Sequence, residues 1–362
     1  MNATTGSGPE VAWFSALCDD DYEFLGVPDP ALRSSWAHCR DIVTTAESNG
    51  FDNVLLPSGY GLGIDGVPFA GGIAAITERI KLLLAVRCGE MWPPQLARQL
   101  AGLDEMLAGR LTINIISSDL PGTQLASTPR YDRTLEVMTI LRTLLAGDPI
   151  EHHGEFYDVT LDAPRIAVDR AAARRAAGLS EVPPFYFGGL SDPARESAAA
   201  AADVFLMWPD TMPEITSIIA DMRARAESHG RTLRFGYRTH VVVRETEGEA
   251  RAAATRLLSK LDAAEGEAIR NRSLDTASTG VSRQAQLRDS SDEDGYIEEH
   301  LWTGIARARS GCGAAIVGDP DQVAAKLRAY VDLGIDAFIL SGYPHLAECD
   351  LVAEHVLPAL RR

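Results

Sequence analysis

The sequence lacks any apolar run long enough to cross a membrane. A transmembrane helix needs roughly 18 to 20 consecutive apolar residues, and every apolar stretch of this chain is shorter. The N-terminal segment is polar and lacks the basic region and apolar core of a secretory signal. We therefore expect a cytoplasmic protein with no membrane partner.

Paired cysteines and an excess of basic residues are also missing. The five cysteines are scattered, with no C-x-x-C pair and no histidine at the spacing of a zinc ligand. This pattern indicates free thiols in a reducing compartment and no metal site. Acidic residues (51) outnumber basic ones (34), and the net charge of −17 repels phosphate backbones. We expect no nucleic-acid partner.

The 362 residues do contain a regular alternation of short apolar stretches and amphipathic stretches. The predicted strands are residues 11–14, 53–57, 82–87, 112–116, 185–189, 204–208, 235–243 and 337–341. The predicted helices are residues 34–49, 68–80, 94–107, 130–146, 193–201, 213–229, 248–263 and 320–333. Strands that alternate with helices pair in parallel, and eight such units close most economically as a barrel. We therefore expect an α/β fold, a single (β/α)8 TIM barrel with insertions that spans residues 1–362.

The competing architecture is an open, doubly wound sheet. It would require a glycine-rich phosphate turn after its first strand, and the sequence has none. Two stretches interrupt the barrel pattern. Residues 147–182 hold turn residues and a hairpin predicted over 152–159, whereas residues 264–313 are long, polar and poor in aliphatic side chains. Loops of that length in a compact domain are typically lids or disordered segments, and we expect a mobile lid at 264–313.

Polar side chains accumulate after the predicted strands, where TIM-barrel enzymes carry their active sites. These positions include Cys18, Asp19, Asp20, Asp21, Ser58, Arg87, Trp208, Arg238, His240, Arg309, Tyr343 and His345. Arg238 and His240 alternate correctly to share one face of the seventh strand. An arginine beside a histidine suits an anionic substrate group or a developing negative charge, although pairing with a neighbouring carboxylate is the alternative.

A second motif, Gly188-Gly189-Leu190-Ser191, opens a predicted helix. Free backbone N–H groups and the helix dipole favour a phosphate at such a position. A strand-to-helix turn that requires glycine for steric reasons would have the same sequence. Both interpretations stay open.

These features belong to a larger pattern that resembles the bacterial luciferase-like flavin monooxygenases, and most closely their alkanesulfonate monooxygenase branch. The matching stretches are 13–14 (WF), 53–59 (NVLLPSG), 84–87 (LAVR), 97–99 (ARQ), 109–110 (GR), 130–131 (RY), 185–189 (FYFGG), 235–246 (FGYRTHVVVRET), 301–302 (LW), 316–319 (IVGD) and 340–346 (LSGYPHL). Together they span nearly the whole chain. The resemblance implies an enzyme that takes FMN as FMNH2 from a separate NAD(P)H:FMN reductase. With O2 it would oxygenate an organosulfonate and cleave the C–S bond, giving sulfite and an aldehyde.

The resemblance also implies residue roles and an oligomer. Catalytic roles fall on Arg238, His240, Arg309, Tyr343 and His345. Cofactor contacts fall on Tyr131, Gly189, Ser191, Asn114 and Ala85, with a cis peptide bond between Ala85 and Val86. Substrate contacts fall on Trp208, Leu62 and Cys18. A homodimer or homotetramer is expected.

Two departures from the family bear on the substrate. Leu62 stands where the family has a cysteine, and the segment at Cys18 lacks the family's histidine. The acids at 19–21 would lie beside the sulfonate if they face inward, and each like-charge contact at ~4 Å costs on the order of 4 kcal/mol at an effective dielectric constant of about 20. The alternatives are therefore a sulfone, a sugar sulfonate or a cationic substrate, a deazaflavin-dependent oxidoreductase, or a flavin-binding protein without turnover.

Overall fold

The computed structural model describes residues 8–61, 63–271 and 278–361. In chain order its strands are β1 (Glu10–Phe14), β2 (Asn53–Leu56), β3 (Lys81–Arg87), β4 (Leu111–Ile116), β5 (Ile150–His153), β6 (Asp158–Leu161), β7 (Phe185–Phe187), β8 (Val204–Met207), β9 (Arg234–Val243), β10 (Tyr296–Glu298), β11 (Leu301–Trp302), β12 (Ala315–Gly318) and β13 (Ala337–Ser341). Its helices are α1 (Trp36–Ser48), α2 (Gly66–Ala74), α3 (Pro93–Met106), α4 (Ser127–Leu145), α5 (Arg165–Ala176), α6 (Asp192–Ala201), α7 (Met212–Ser228), α8 (Glu247–Leu258), α9 (Ala263–Asn271), α10 (Thr279–Asp289), α11 (Pro320–Leu333), α12 (His345–His355) and α13 (Leu357–Leu360).

Eight of the strands close into a parallel barrel. The order around it is β1-β2-β3-β4-β7-β8-β9-β13, and β13 pairs with β1 to complete the ring. These are the eight strands that the sequence pattern predicts, and each of the eight predicted helices is present. The predicted (β/α)8 TIM barrel is therefore confirmed.

The alternation of side chains along the strands separates two cores. On β1, Val11 and Trp13 pack in the large cluster that the helices share with the outer barrel face. Ala12 and Phe14 belong to a smaller cluster whose members come from strands around the ring and fill the barrel interior. The same alternation on β9 places Tyr237 in the outer cluster. It therefore points Arg238 and His240 inward, as the sequence predicts.

The first insertion contains the predicted hairpin. Strands β5 and β6 pair antiparallel, with His153 opposite Asp158. The helix that follows, α5, is not predicted from the sequence. Its amphipathic signal is weak because arginine and alanine dominate it, yet the buried Arg174 side chain fixes it to Asp104 of α3 through a 2.7 Å ion pair.

The described residues of the second insertion, 264–271 and 278–313, include helices and strands rather than a plain loop. Helices α9 and α10 precede β10 and β11, and β12 then pairs in parallel with the C-terminal half of β9. The sequence does not predict α9 and α10, since their residues are mostly polar. Mobility of this segment as a lid stays a prediction. Among the described residues, no helix has both the length and the apolarity to cross a membrane.

Candidate active site

A cavity of ≈ 620 Å³ opens at the C-terminal ends of the barrel strands. Loops after β1, β2 and β3 form one side, and residues of the second insertion form the other. Its lining residues are Phe14, Cys18, Asp19, Asp20, Tyr22, Pro57, Ser58, Gly59, Tyr60, Gly61, Arg87, Trp208, Ile269, Val281, Ala308, Arg309, Ser310, Gly311 and Tyr343. Four of the predicted site residues are therefore brought together here: Cys18, Trp208, Arg309 and Tyr343. We call this space the mouth cavity.

Arg309 connects the second insertion to the barrel. Its guanidinium lies 2.6 Å from the Asp20 carboxylate and donates to the Tyr343 hydroxyl oxygen at 2.8 Å. Burial alone would lower the pKa of Arg309, but the neighbouring Tyr343 and Asp20 oxygens raise it above its ordinary value. Burial also raises the pKa of Tyr343 above its ordinary value, which keeps the side chain a neutral phenol. The pair offers a fixed positive charge and an O–H donor at one wall of the mouth cavity.

Three predicted catalytic residues, Arg238, His240 and His345, are buried directly beneath the mouth cavity. Two guanidiniums lie against the Phe14 ring, with the Arg238 Cζ 4.5 Å and the Arg309 Cζ 5.4 Å from the ring centroid. Arg238 donates to the Thr239 carbonyl at 2.8 Å, and one of its terminal nitrogens, Nη2, is buried without a partner. Such a donor favours an anion close by.

His240 is held as a neutral imidazole. Its Nδ1 lies 2.7 Å from the Ser341 hydroxyl, and its Nε2 is buried with no hydrogen-bond partner. Burial, followed by the charges of Arg238 and Arg309, lowers the pKa of His240 well below its ordinary value. The Tyr343 ring stacks on the imidazole at a centroid distance of 5.1 Å. His240 lines neither cavity in this structure, and its Nε2 is free to form a hydrogen bond with a group that reaches it.

His345 is oriented by a buried carboxylate. Asp21 Oδ1 accepts from the backbone N–H of His345 at 2.9 Å and lies 3.0 Å from its ring Nδ1, while Asp21 Oδ2 lies 2.8 Å from His38 Nε2. Burial alone would raise the pKa of Asp21, but the charge and hydrogen bonds of His345, with the bond from His38, hold it well below its ordinary value. Because the carboxylate is ionised, it can only accept a hydrogen bond, so the proton lies on Nδ1 of His345. Nε2 is the ring nitrogen that does not contact Asp21.

The three acids at 19–21 therefore have different environments. Asp21 is turned away from the mouth cavity, and the charge of Asp20 is compensated by Arg309. Asp19 lines the cavity but accepts from the Ser34 backbone N–H at 2.9 Å. The repulsion that three inward carboxylates would impose on a sulfonate is correspondingly reduced.

A second cavity of ≈ 250 Å³, which we call the cradle, adjoins the mouth cavity at Trp208. Its lining residues are Asn114, Ile115, Ile116, Ser117, Ser127, Arg130, Tyr131, Gly188, Gly189, Leu190, Ser191, Leu206, Met207, Trp208, Ser278, Thr279 and Gly280. Four of the five predicted cofactor residues are among them: Asn114, Tyr131, Gly189 and Ser191. The cradle lies at the N-terminus of α6, whose N-cap is Ser191.

The cradle has the donors that a phosphate group requires. Ser191 Oγ and Arg130 Nε are both buried without hydrogen-bond partners, and the N-terminus of α6 contributes backbone N–H groups. A Cβ at Gly189 would lie 2.6 Å from the Ala194 Cβ and 3.3 Å from the Tyr131 hydroxyl, so only glycine fits there. The residues present therefore fit the phosphate end of a flavin mononucleotide. Within the described residues, no group of three or more His, Cys, Asp or Glu side chains could hold a metal ion.

The prediction of a cis peptide bond between Ala85 and Val86 is wrong. The cis bond in the described chain is at Tyr343–Pro344. Ala85 and Val86 lie inside the uninterrupted β3–β4 ladder, where a trans peptide maintains the register and a cis bond would cost ~3 kcal/mol. Ala85 is buried opposite Asn114 and lines neither cavity. The predicted substrate contact Leu62 lies outside the described residues.

Three polar residues of the site have no role predicted from the sequence. His38 lies in α1, far from any strand end, so no positional rule identifies it as a partner of Asp21. Arg130 precedes Tyr131 at the cradle, and its charge was an available signal for phosphate binding. Arg87 is the last residue of β3 and lines the mouth cavity. Its place at the end of a barrel strand was a signal of the same kind.

The barrel, with an arginine-lined mouth cavity and an adjoining cradle at the C-terminal ends of its strands, has the arrangement of a TIM-barrel enzyme. A family model, described as luciferase-like monooxygenase, matches residues 24–337. The chain therefore belongs to the luciferase-like monooxygenase family. The enzyme class expected from the resemblance, a monooxygenase that uses reduced flavin, is confirmed.

Curated relatives match over nearly the full length. A sulfoquinovose monooxygenase of Novosphingobium aromaticivorans is 62% identical over 356 residues, with 96% of each chain covered. A sulfoquinovose monooxygenase of Agrobacterium fabrum is 51% identical over 352 residues, covering 97% of this chain and 90% of the relative. The crystal structure of a riboflavin lyase with modified FMN and riboflavin has a TM-score of 0.78 at 16% identity, covering 98% of this chain and 92% of that one. This last similarity supports the fold alone.

Proposed function

We propose that this chain is an FMNH2-dependent monooxygenase that cleaves the C–S bond of sulfoquinovose, the sugar sulfonate in which a sulfonate replaces the C6 hydroxyl of glucose. The observation that carries the proposal is the 62% identity to a sulfoquinovose monooxygenase over 96% of both chains. Among the substrates left open by the sequence, this favours the sugar sulfonate over a simple alkanesulfonate.

The proposed reaction balances with one O2 and one reduced flavin. R–CH2–SO3⁻, FMNH2 and O2 give R–CHO, HSO3⁻, FMN and H2O, where R–CHO is the sugar with an aldehyde at C6. The C–S bond breaks, the carbon and the flavin are oxidised, and O2 is reduced. One oxygen atom goes to the carbon and the other to water.

FMN is the flavin that the cradle fits best, because a phosphate needs the donors gathered there. Ser191, Tyr131 and Arg130 would hold the phosphate, with the N-terminus of α6 behind it. When bound, reduced FMN supplies the two electrons that O2 activation requires. A separate NAD(P)H:FMN reductase and a homodimer or homotetramer stay predictions.

The side chains of the protein would bind the sulfonate, exclude water, and donate or accept protons. Arg309 and the buried Arg238 supply positive charge for the sulfonate oxygens. The phenol of Tyr343 donates a hydrogen bond, and the neutral imidazole of His240 accepts a proton. Ile269 and Val281 of the second insertion, with Trp208, contribute apolar lining that keeps water out of the reacting region.

The test is sulfite release from sulfoquinovose with FMN, NADH, a flavin reductase and O2. Hexane-1-sulfonate serves as the comparison substrate for sulfite release, and a sulfone and a cationic amine, which cannot release sulfite, are compared by O2 consumption. We expect sulfite from sulfoquinovose at a kcat/KM above that for hexane-1-sulfonate, and none without O2. No sulfite from sulfoquinovose would overturn the proposal. Anaerobic turnover with reduced deazaflavin would instead support a hydride-transfer enzyme.

A further inference from the structure

One wall of the mouth cavity carries charged groups that the proposed chemistry does not use. This wall is formed by the loop after β1 and the end of β3, and it contains Cys18, Asp20 and Arg87. Arg238 and Arg309 both lie against the ring of Phe14, and no carboxylate of the described residues forms an ion pair with Arg238. These two guanidiniums suit the sulfonate, and the free polar groups of the charged wall suit another part of the substrate.

One oxygen of the Asp20 carboxylate has a hydrogen-bond partner and the other has none. Oδ2 lies 2.6 Å from Arg309, whereas Oδ1 is buried and has no hydrogen-bond partner. A buried carboxylate oxygen without a donor is unfavourable. Because a sulfonate has no proton to give at neutral pH, the natural partner for this oxygen is a hydroxyl group.

Arg87 provides a free donor on the same wall. The side chain is 6% exposed, Nη2 donates to the Ser58 carbonyl at 3.3 Å, and Nε lies 3.1 Å from Glu90 Oε1. The remaining nitrogen, Nη1, is buried and has no partner. Since Glu90 offsets the charge of Arg87, the free N–H suits a neutral oxygen acceptor.

Asp20 and Arg87 line the same cavity as the Cys18 thiol. Burial, and to a smaller extent the charge of Asp20, raises the pKa of Cys18, Arg309 and Arg87 lower it, and the net result is a pKa of about 12. Both side chains are thus close enough to the thiol for their charges to reach it. A free acceptor and a free donor lie around one small residue that lines the cavity.

We propose that Asp20 and Arg87 form a hydroxyl-binding subsite beside Cys18, which selects polyhydroxylated sulfonates over alkyl sulfonates. One substrate hydroxyl donates to Asp20 Oδ1, and a second accepts from Arg87 Nη1. An alkyl sulfonate leaves both groups buried and unpaired, and sites built to bind a hydroxyl reject analogues without one. This inference rests on the proposed function, because it assigns the sugar ring of the same substrate to this wall.

The experiment compares Asp20→Asn and Arg87→Gln with wild type on two substrates, sulfoquinovose and hexane-1-sulfonate, by initial rates of sulfite release with reduced FMN. In each variant we expect kcat/KM to fall about 30-fold more for sulfoquinovose than for hexane-1-sulfonate, and any loss shared by both substrates in Asp20→Asn reports its contact with Arg309. Glu23→Gln removes a charge from the same loop outside the cavity, where Glu23 pairs with Arg256, and should leave both rates unchanged. Equal losses on both substrates would overturn the inference, since Asp20 would then act only by placing Arg309.

A binding measurement separates failure of the subsite from failure of the proposed function. Sulfoquinovose is titrated calorimetrically into wild type and Asp20→Asn under anaerobic conditions with reduced FMN. Binding to wild type that weakens about 30-fold in the variant supports the subsite, even if no sulfite is formed and the proposed function fails. Sulfite release by a wild type whose affinity for sulfoquinovose equals that of Asp20→Asn supports the function and overturns the subsite.

Discussion

The Asp20 carboxylate lies 2.6 Å from the Arg309 guanidinium, although 289 positions separate the two residues in the sequence. This ion pair joins the loop after β1 to the end of the second insertion. It fixes the position of the Arg309 guanidinium at the mouth of the barrel, and it neutralises an acid that would otherwise repel a sulfonate. The same contact thus explains how an acidic loop and an anionic substrate can share one site.

Arg309→Ala is expected to abolish productive turnover while leaving the fold intact. The change removes the positive charge at the cavity wall and the donor to Tyr343. We expect kcat/KM for sulfite release to fall by at least about 100-fold, the effect of losing a charged hydrogen bond to the reacting group. The exposed neighbour Arg307→Ala is the matched control and should retain wild-type rates. Near-normal sulfite yield from Arg309→Ala would refute the role of Arg309.

Ser191→Ala is expected to weaken FMN binding selectively. The Ser191 hydroxyl is buried without a partner at the cradle, and a hydrogen bond to a charged phosphate is worth about 1.5–3 kcal/mol. We expect the Kd of FMN to rise by about 10-fold or more, measured by fluorescence titration. Riboflavin has no phosphate, so its Kd should be the same for wild type and variant. A parallel loss for both ligands would place the phosphate elsewhere.

His240→Gln is expected to flatten the acid side of the stability profile. The folded protein keeps His240 neutral because its pKa is lowered, whereas the unfolded chain protonates it below its ordinary value of 6.5. The unfolded state therefore binds more protons there, and wild-type stability falls as pH falls, by up to about 1.4 kcal/mol per pH unit from this group. Urea unfolding between pH 7 and 5 measures the slope. Identical slopes for wild type and variant would show that His240 is protonated in the folded protein.

Asp21→Asn is expected to destabilise the protein by about 2 to 4 kcal/mol at pH 7, because it breaks a buried carboxylate bridge between His38 and His345. The pKa of Asp21 is lowered in the folded state, so the carboxylate stabilises the fold above its ordinary value of 3.8. This contribution is lost as pH falls below that value.

The difference in unfolding free energy between wild type and Asp21→Asn should therefore be full at pH 7 and narrow below about pH 4. Asp41→Asn, which alters a half-exposed acid paired with Arg40, should change stability by less than about 1 kcal/mol. A difference between wild type and Asp21→Asn that does not vary with pH would mean that the carboxylate charge is irrelevant.

The barrel could be predicted because each of its strands and helices carries a local signal. Side chains along β9 alternate between the barrel interior and the helices, which places Arg238 and His240 inward. Capping residues mark where the helices begin and end. Asp319 and Gln322 form a capping box at the start of α11, and Gly334, with φ of +109°, ends it. Local chemistry of this kind is readable before any tertiary contact is known.

The second insertion and the depth of the site could not be predicted in the same way. Helices α9 and α10 are polar and depend on contacts with distant segments, such as the hydrogen bond from Gln284 to the Pro209 carbonyl. Sequence position placed all five catalytic candidates at the mouth, yet Arg238, His240 and His345 lie beneath it. The rings of Phe14 and Tyr343 cover them, and this layering arises only when separate strands meet.

The most direct measurement is the stoichiometry of one reaction mixture that contains the protein, reduced FMN, O2 and sulfoquinovose. One sulfite and one C6 aldehyde are predicted for each O2 consumed through the enzyme, with little hydrogen peroxide. Consumption of O2 that yields hydrogen peroxide and no sulfite would contradict the assignment of this site to C–S bond cleavage.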